Sequence, residues 1–149
     1  MDLKKILIVS GKSGLFYIVN QGKDRIIVES IQDKSRHPIF PSNKVISLED
    51  ISIFTNAEEV PLKKVFLKIF ELENGQKCID NKSDSNALKT YMEKVLPEYD
   101  RERVYVSDMK KLFSWYNLLI EHNMFNFDDI KKEEEEKEKK TEENSSDNQ

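Results

Sequence analysis

The sequence predicts an α+β fold: a small SH3-like β-barrel, then a three-helix domain, then a disordered acidic tail. Three observations carry this expectation. Between residues 15 and 55, short apolar, β-branched runs alternate with turn-forming clusters, which reads as four or five strands in about 45 residues. Between 61 and 121, apolar residues return three times at helical spacing. From Asp128 onward, ten acidic and five basic side chains leave a net charge of −5, in a segment with almost nothing apolar to bury. The expected units are 1–56, 57–127 and 128–149.

The chain of 149 residues carries −4 overall, so residues 1–127 carry +1. The pI of about 5.4 therefore belongs to the tail, and bulk charge offers no argument for nucleic acid. Hydrophobic content is 38%, below the usual level, and much of the deficit is again the tail's. Cys78 is the only cysteine, which excludes an intrachain disulfide framework. The apolar run at 6–9 is too short for a signal peptide, and no stretch approaches the length of a membrane-spanning helix. A soluble, cytoplasmic protein without a membrane partner is expected.

Asp2 is placed to cap a short helix holding Leu3, Ile6 and Leu7, with Gly11 as its stop. The continuous apolar run reads equally as a strand over 5–9. Gly11-Lys12-Ser13-Gly14 turns the chain. Lys12-Ser13 ends like a phosphate-binding loop, but that loop needs a glycine at position 6, which is Ile. Strands follow at 15–20, at 25–31 after a Gln-Gly-Lys-Asp hairpin signal, and at 37–40, where Pro38 and Pro41 suit an edge. A single helical turn is expected within 42–50, and 51–55 alternates again as a strand.

Pro61 suits the first turn of a helix whose face is Leu62, Val65, Phe66, Ile69 and Phe70, with Lys63, Lys64 and Lys68 opposite and Gly75 as its end. Ser83 or Ser85 can cap a second helix, whose face is Ala87, Leu88, Tyr91, Met92 and Val95 and which Pro97 closes. Val104-Tyr105-Val106 reads as a short extended segment. Ser107 can then cap the strongest helix, with Asp108 suited to its dipole. Its stripe is Met109, Leu112, Phe113, Tyr116, Leu119 and Ile120. Trp115 and Leu118 widen the stripe, and Lys110, Lys111, Ser114, Asn117 and Glu121 fall on the other side. Phe125 and Phe127 are placed to fold back over the helices.

Several segments, in order, also carry a resemblance: Asp2-Leu3-Lys4-Lys5-Ile6-Leu7, Ser10-Gly11-Lys12-Ser13-Gly14-Leu15, Leu48-Glu49-Asp50-Ile51-Ser52-Ile53, and Arg103-Val104-Tyr105-Val106-Ser107-Asp108-Met109-Lys110-Lys111 with Trp115-Tyr116-Asn117. Together, over about residues 1–125, the chain resembles a family of uncharacterised cytosolic proteins from Bacteroidetes, catalogued as a domain of unknown function followed by a second small domain. The resemblance implies a two-part architecture and a bacterial source. It supplies no catalytic residue.

The residues point to no reaction. His37, His122 and Cys78 lack ligand spacing, and Cys78 has no neighbouring partner that would activate it. Asp100, Glu102 and Asp108 are interleaved with Arg101 and Arg103, which suits capping and surface pairs rather than acid–base work. No catalytic residue, metal site or cofactor is expected, and the protein is not expected to be an enzyme. The expected role is non-catalytic binding or regulation, foremost as a module for an unidentified protein partner. The alternative is nucleic acid held by a basic and aromatic surface. Lys4, Lys5 and Lys12 would meet phosphates beside Phe16 and Tyr17, with Lys110 and Lys111 as further candidates on the last helix. Strand alternation turns one of Phe16 and Tyr17 inward.

Overall fold

The computed structural model describes residues 3–124 and positions 135, 136 and 139. The capping by Asp2, the fold-back of Phe125 and Phe127 and the expected tail lie outside the described residues, except for Glu135, Glu136 and Lys139, which are helical and exposed.

A 3-10 turn at Leu3–Lys5 leads into β1 (Ile6–Val9), so the apolar start is a strand and not a helix. β2 (Phe16–Gln21), β3 (Ile26–Ser30), β4 (Arg36–Ile39) and β5 (Val45–Ser47) follow. They form an antiparallel sheet in the order β4-β3-β2-β1-β5. Both faces of β1 are used, because successive side chains alternate. Ile6 and Ile8 pack towards the helices, while Leu7 and Val9 join Phe16, Val28 and Ile39 in a smaller core on the opposite face. A strand buried on both faces reads as an unbroken apolar run, which is why β1 has no period in the sequence.

The sheet does not close into the expected barrel; β4 and β5 remain its two edges. Pro38, opposite Ile27 in β4, has no amide to offer a further strand. A tight turn beyond it, in which Asn43 and Phe40 bond each other, sends the chain back across to β1 as a strand of three residues. The single helical turn expected within 42–50 forms at Leu48–Asp50, directly after β5. The alternating run at 51–55 yields β6 (Ser52–Ile53), which pairs with β7 (Val60–Pro61) and not with the larger sheet.

Three helices complete the chain: α1 (Leu62–Leu72), α2 (Ser85–Val95) and α3 (Val106–Glu121). Their stripes converge through Leu62, Val65, Phe66 and Ile69, through Leu88, Met92 and Val95, and through Met109, Leu112, Phe113, Tyr116 and Leu119. Leu3, Ile6, Leu15, Ile31 and Leu48 enter the same core from the strand half.

The caps differ from expectation. Asp84, between the two candidate serines, caps α2 by accepting the Ala87 amide at 2.8 Å. α3 begins one residue before Ser107. There the Asp108 carboxylate accepts the Tyr105 amide at 2.9 Å, so 104–106 is not a strand. At α2 a carboxylate takes the capping role expected of a hydroxyl, and at α3 the carboxylate of the third helical residue reaches back to the amide of the N-cap residue Tyr105; a charged acceptor suits the positive end of a helix in both places. α1 and α3 each end on a left-handed asparagine, Asn74 and Asn123. The amides after them, Gly75 and Met124, donate back to Phe70 and Leu119 at 2.9 and 2.7 Å. Lys63, expected on the solvated side of α1, is buried against Glu49, whose Oε1 lies 3.5 Å from its Nζ.

Candidate functional site

The turn between β1 and β2 holds Gly11 and Gly14 at positive φ. At Gly14 the positive φ calls for glycine, and the end of the Gln32 side chain lies where a Cβ would stand. This turn lifts Lys12 and Ser13 to the rim of a groove between the strand layer and the first half of α3. Lys110 and Lys111 form the rest of the charged rim, and Ile8, Ile46, Ile51 and Trp115 supply the apolar surface. Ser114 and Asn81 add neutral polar groups. The groove encloses about 480 Å³, and among the described residues no Asp or Glu lines it. Lys12, Lys110 and Lys111 are exposed and make no ion pair with any described residue.

The candidate residues thus separate. Lys12, Lys110 and Lys111 meet in this groove, although the first two stand 98 positions apart in the chain. Lys4 and Lys5 are exposed on the 3-10 turn before β1 and are not among the groove's lining residues. Phe16 is buried, its ring meeting His37 edge-on at 5.8 Å. Tyr17 is half-buried on the helix-facing side of the sheet. Sequence reasoning placed Trp115 on the margin of a core stripe. It did not find Ile46 of β5, Ile51 just before β6 or Asn81 of the loop between α1 and α2, which join the groove only because these segments come together beside α3.

Beside the groove, a cavity of about 420 Å³ holds Lys12, Ser13, Asp33, Ser35 and His37. Ser35 Oγ donates to Asp33 Oδ1 at 2.6 Å and lies 2.9 Å from His37 Nε2. These are hydrolase residue types in the wrong order. A nucleophilic serine gives its proton to histidine, while the carboxylate orients the far ring nitrogen. Here the serine proton is directed at the carboxylate, and that bond is the main cause holding Asp33 below the usual carboxylate range.

The other titratable groups serve the scaffold. Burial pushes the Cys78 thiol up to about 12, which keeps it protonated and unreactive at neutral pH. Burial, then the 2.6 Å bond that the Tyr91 hydroxyl donates to Glu73, raises Tyr91 as well. Asp100 is held low by the Arg103 guanidinium, whose Nε donates at 2.7 Å, and by the Glu102 amide. Arg103 also lies over the Phe54 ring at 4.4 Å, which ties the turn before α3 to the segment after β6. Asp100 and Asp108 are therefore pairing and capping groups, as their interleaving with arginines predicts. Among the described residues no three His, Cys, Asp or Glu side chains gather to hold a metal ion, and no helix is long and apolar enough to cross a membrane.

Two family models match the chain in succession: Domain of unknown function (DUF5606) over residues 3–48 and Domain of unknown function (DUF6852) over residues 51–119. A solution NMR structure of a structural-genomics target from Bacteroides vulgatus is similar, with 44% sequence identity and a TM-score of 0.69, over 85% of this chain and 91% of that one. No curated protein matches. The order of the two matched models and the likeness to the Bacteroides structure carry one conclusion: the chain belongs to an uncharacterised Bacteroidetes family in which the first of these domains is followed by the second.

Proposed function

We propose that the protein is a non-catalytic binding module of the bacterial cytoplasm, and that the groove beside α3 holds an acidic, apolar segment of a partner protein. One observation carries this reading. Lys12, Lys110 and Lys111 rim an apolar surface that includes Trp115, and among the described residues no acidic side chain lines it. Exposed lysines alone contribute little, about 0–1 kcal/mol per surface pair. Apolar area removed from water contributes about 25 cal/mol per Å², so Trp115 and the three isoleucines supply affinity while the lysines select charge. The groove's charged groups are all lysines, which leaves it without an acid–base pair. The strand order β4-β3-β2-β1-β5 supports an SH3-like reading of the first half, an architecture that hosts peptide binding among many other roles.

A second reading has a specific observation behind it. A tryptophan beside lysines is also the make-up of a platform for single-stranded nucleic acid. The protein reading is preferred because residues 1–127 carry a net charge of only +1.

Trp115 is the only tryptophan, so its emission reports on the groove directly. Full-length protein is titrated with an acidic–apolar peptide and, separately, with single-stranded RNA. The expected result is a response to the peptide, weakened about tenfold or more by Lys110→Glu with Lys111→Glu. An RNA complex whose log K falls with log salt by about 0.7 per neutralised phosphate, and which the same reversals abolish, would replace the protein reading with the second one.

A further inference from the structure

We infer that the partner segment is taken up in extended form, as a sixth strand paired to the free edge of β5; this rests on the groove reading above. The two edges of the sheet are treated differently. β4 carries Pro38 and is followed by Pro41, the usual means of making an edge unfit for further pairing. β5, a strand of three residues, holds no proline, so each of its residues keeps its amide. It follows Lys44 and exposes Val45 and Ile46, at 38% and 52%.

The backbone of β5 is open in the required direction. The Ser10 amide donates to the Lys44 carbonyl at 2.9 Å, and the register pairs Val9 with Val45 and Ile8 with Ile46. In an antiparallel ladder bonded and non-bonded pairs alternate, so Ile46 is bonded to β1 while the backbone groups of Val45 and Ser47 point away from it. No described residue bonds to the backbone of Val45 or to the amide of Ser47.

The side chains agree with the backbone. Paired residues share a face, and Ile8 and Ile46 both line the groove with Trp115 and the three lysines. A strand laid along β5 would therefore send every second side chain over the groove. Main-chain bonds would hold the segment, and the groove would select it: an apolar centre for Ile46 and Trp115, with acidic residues flanking it for Lys12, Lys44, Lys110 and Lys111.

The test uses the full-length protein and a synthetic peptide with a Val-Phe-Val centre flanked by glutamates. Two further versions carry N-methyl groups on alternate amides, in opposite phases, and cannot donate from one edge or the other. The expected results are protection of the Val45 and Ser47 amides from hydrogen exchange by about tenfold or more on binding the parent peptide, and a loss of about tenfold or more in affinity for one methylated version only. Val45→Pro, which removes an outward amide and keeps the bonds of Ile46, should lower affinity for the parent peptide in the same way. If both methylated versions bind as well as the parent, strand pairing is overturned and the groove reading stands. If no peptide binds and Trp115 emission does not respond, both fall. A Val45 amide already protected without peptide, in a concentration-dependent dimer, would assign the edge to a second copy of the chain and overturn the inference.

Discussion

Asn117 of α3 holds the backbone of Cys78. Its Oδ1 accepts the Cys78 amide at 2.8 Å, and its Nδ2 donates to the next carbonyl, that of Ile79, at 3.2 Å. From the preceding residue, on the core side, the Tyr116 hydroxyl donates to the Gln76 carbonyl at 2.9 Å. The loop between α1 and α2 is thus paired to α3 side chain by side chain, as a strand would be paired by backbone. Asn117→Ala leaves partly buried backbone groups without partners and should cost about 1–3 kcal/mol in urea unfolding. A change within about 0.5 kcal/mol, the range of ordinary surface substitutions, would show that water replaces the clamp.

The same loop sets a pH dependence. Burial raises Cys78 from its ordinary 9.0 to about 12, and Tyr91 and Tyr116 are raised from 10.0 for the same leading reason. Between pH 9 and 12 the unfolded chain releases the thiol proton and the folded chain keeps it. Stability is therefore full below pH 9 and falls as pH rises through this window, by about 1.4 kcal/mol per unit for one such group. Chemical denaturation at pH 8, 9 and 10 should show the fall, and Cys78→Ala should reduce it. A flat profile would mean that the thiol reaches solvent.

The start of α3 discriminates between two neighbouring residues. Asp108→Ala removes the carboxylate that accepts the Tyr105 amide and should cost about 0.5–2 kcal/mol. Ser107→Ala should stay within about 0.5 kcal/mol, since Ser107 is exposed and its hydroxyl forms no hydrogen bond with a described residue. Thermal melts of the two variants decide it, and the reverse order would return the cap to Ser107.

Lys63 and Glu49 form an ion pair at 3.5 Å, in which the Lys63 side chain is 7% exposed and that of Glu49 22%. Lys63→Met keeps the packing but strands the carboxylate, at a cost of about 1–3 kcal/mol. Adding Glu49→Gln should recover part of that loss. A double-mutant cycle measures the coupling, and strict additivity would show that the pair contributes nothing.

Phe113 and Trp115 lie two residues apart on α3, but Phe113 is fully buried and Trp115 is half-buried at the groove. Phe113→Ala should cost about 3–5 kcal/mol, and Trp115→Ala distinctly less. Equal losses, with strongly blue-shifted Trp115 emission, would place Trp115 in the core and remove it from the binding surface.

The sequence by itself determined the α+β class, the three helical stripes and the turns between β1 and β4. Periodicity and turn chemistry are local, so residues such as Met109, Leu112, Phe113, Tyr116 and Leu119 declare their shared face without help from the rest of the chain. Caps were legible only to within a residue. Ser83, Asp84 and Ser85, or Ser107 and Asp108, offer competing acceptors, and the backbone geometry at the helix start selects one. Only the tertiary structure decided that Ile6–Val9 is a strand, because both its faces are buried, by the helices on one side and by Val28 and Ile39 on the other. The same holds for the open sheet, since closure depends on whether β4 and β5, the two edges, meet in space, and no local pattern in the sequence records that. The groove was legible only as separate parts. Lys12 and Lys110 read as two basic spots in the sequence, and become one site only when the core they share, through Ile6, Leu15 and Met109, draws the β1–β2 turn against α3.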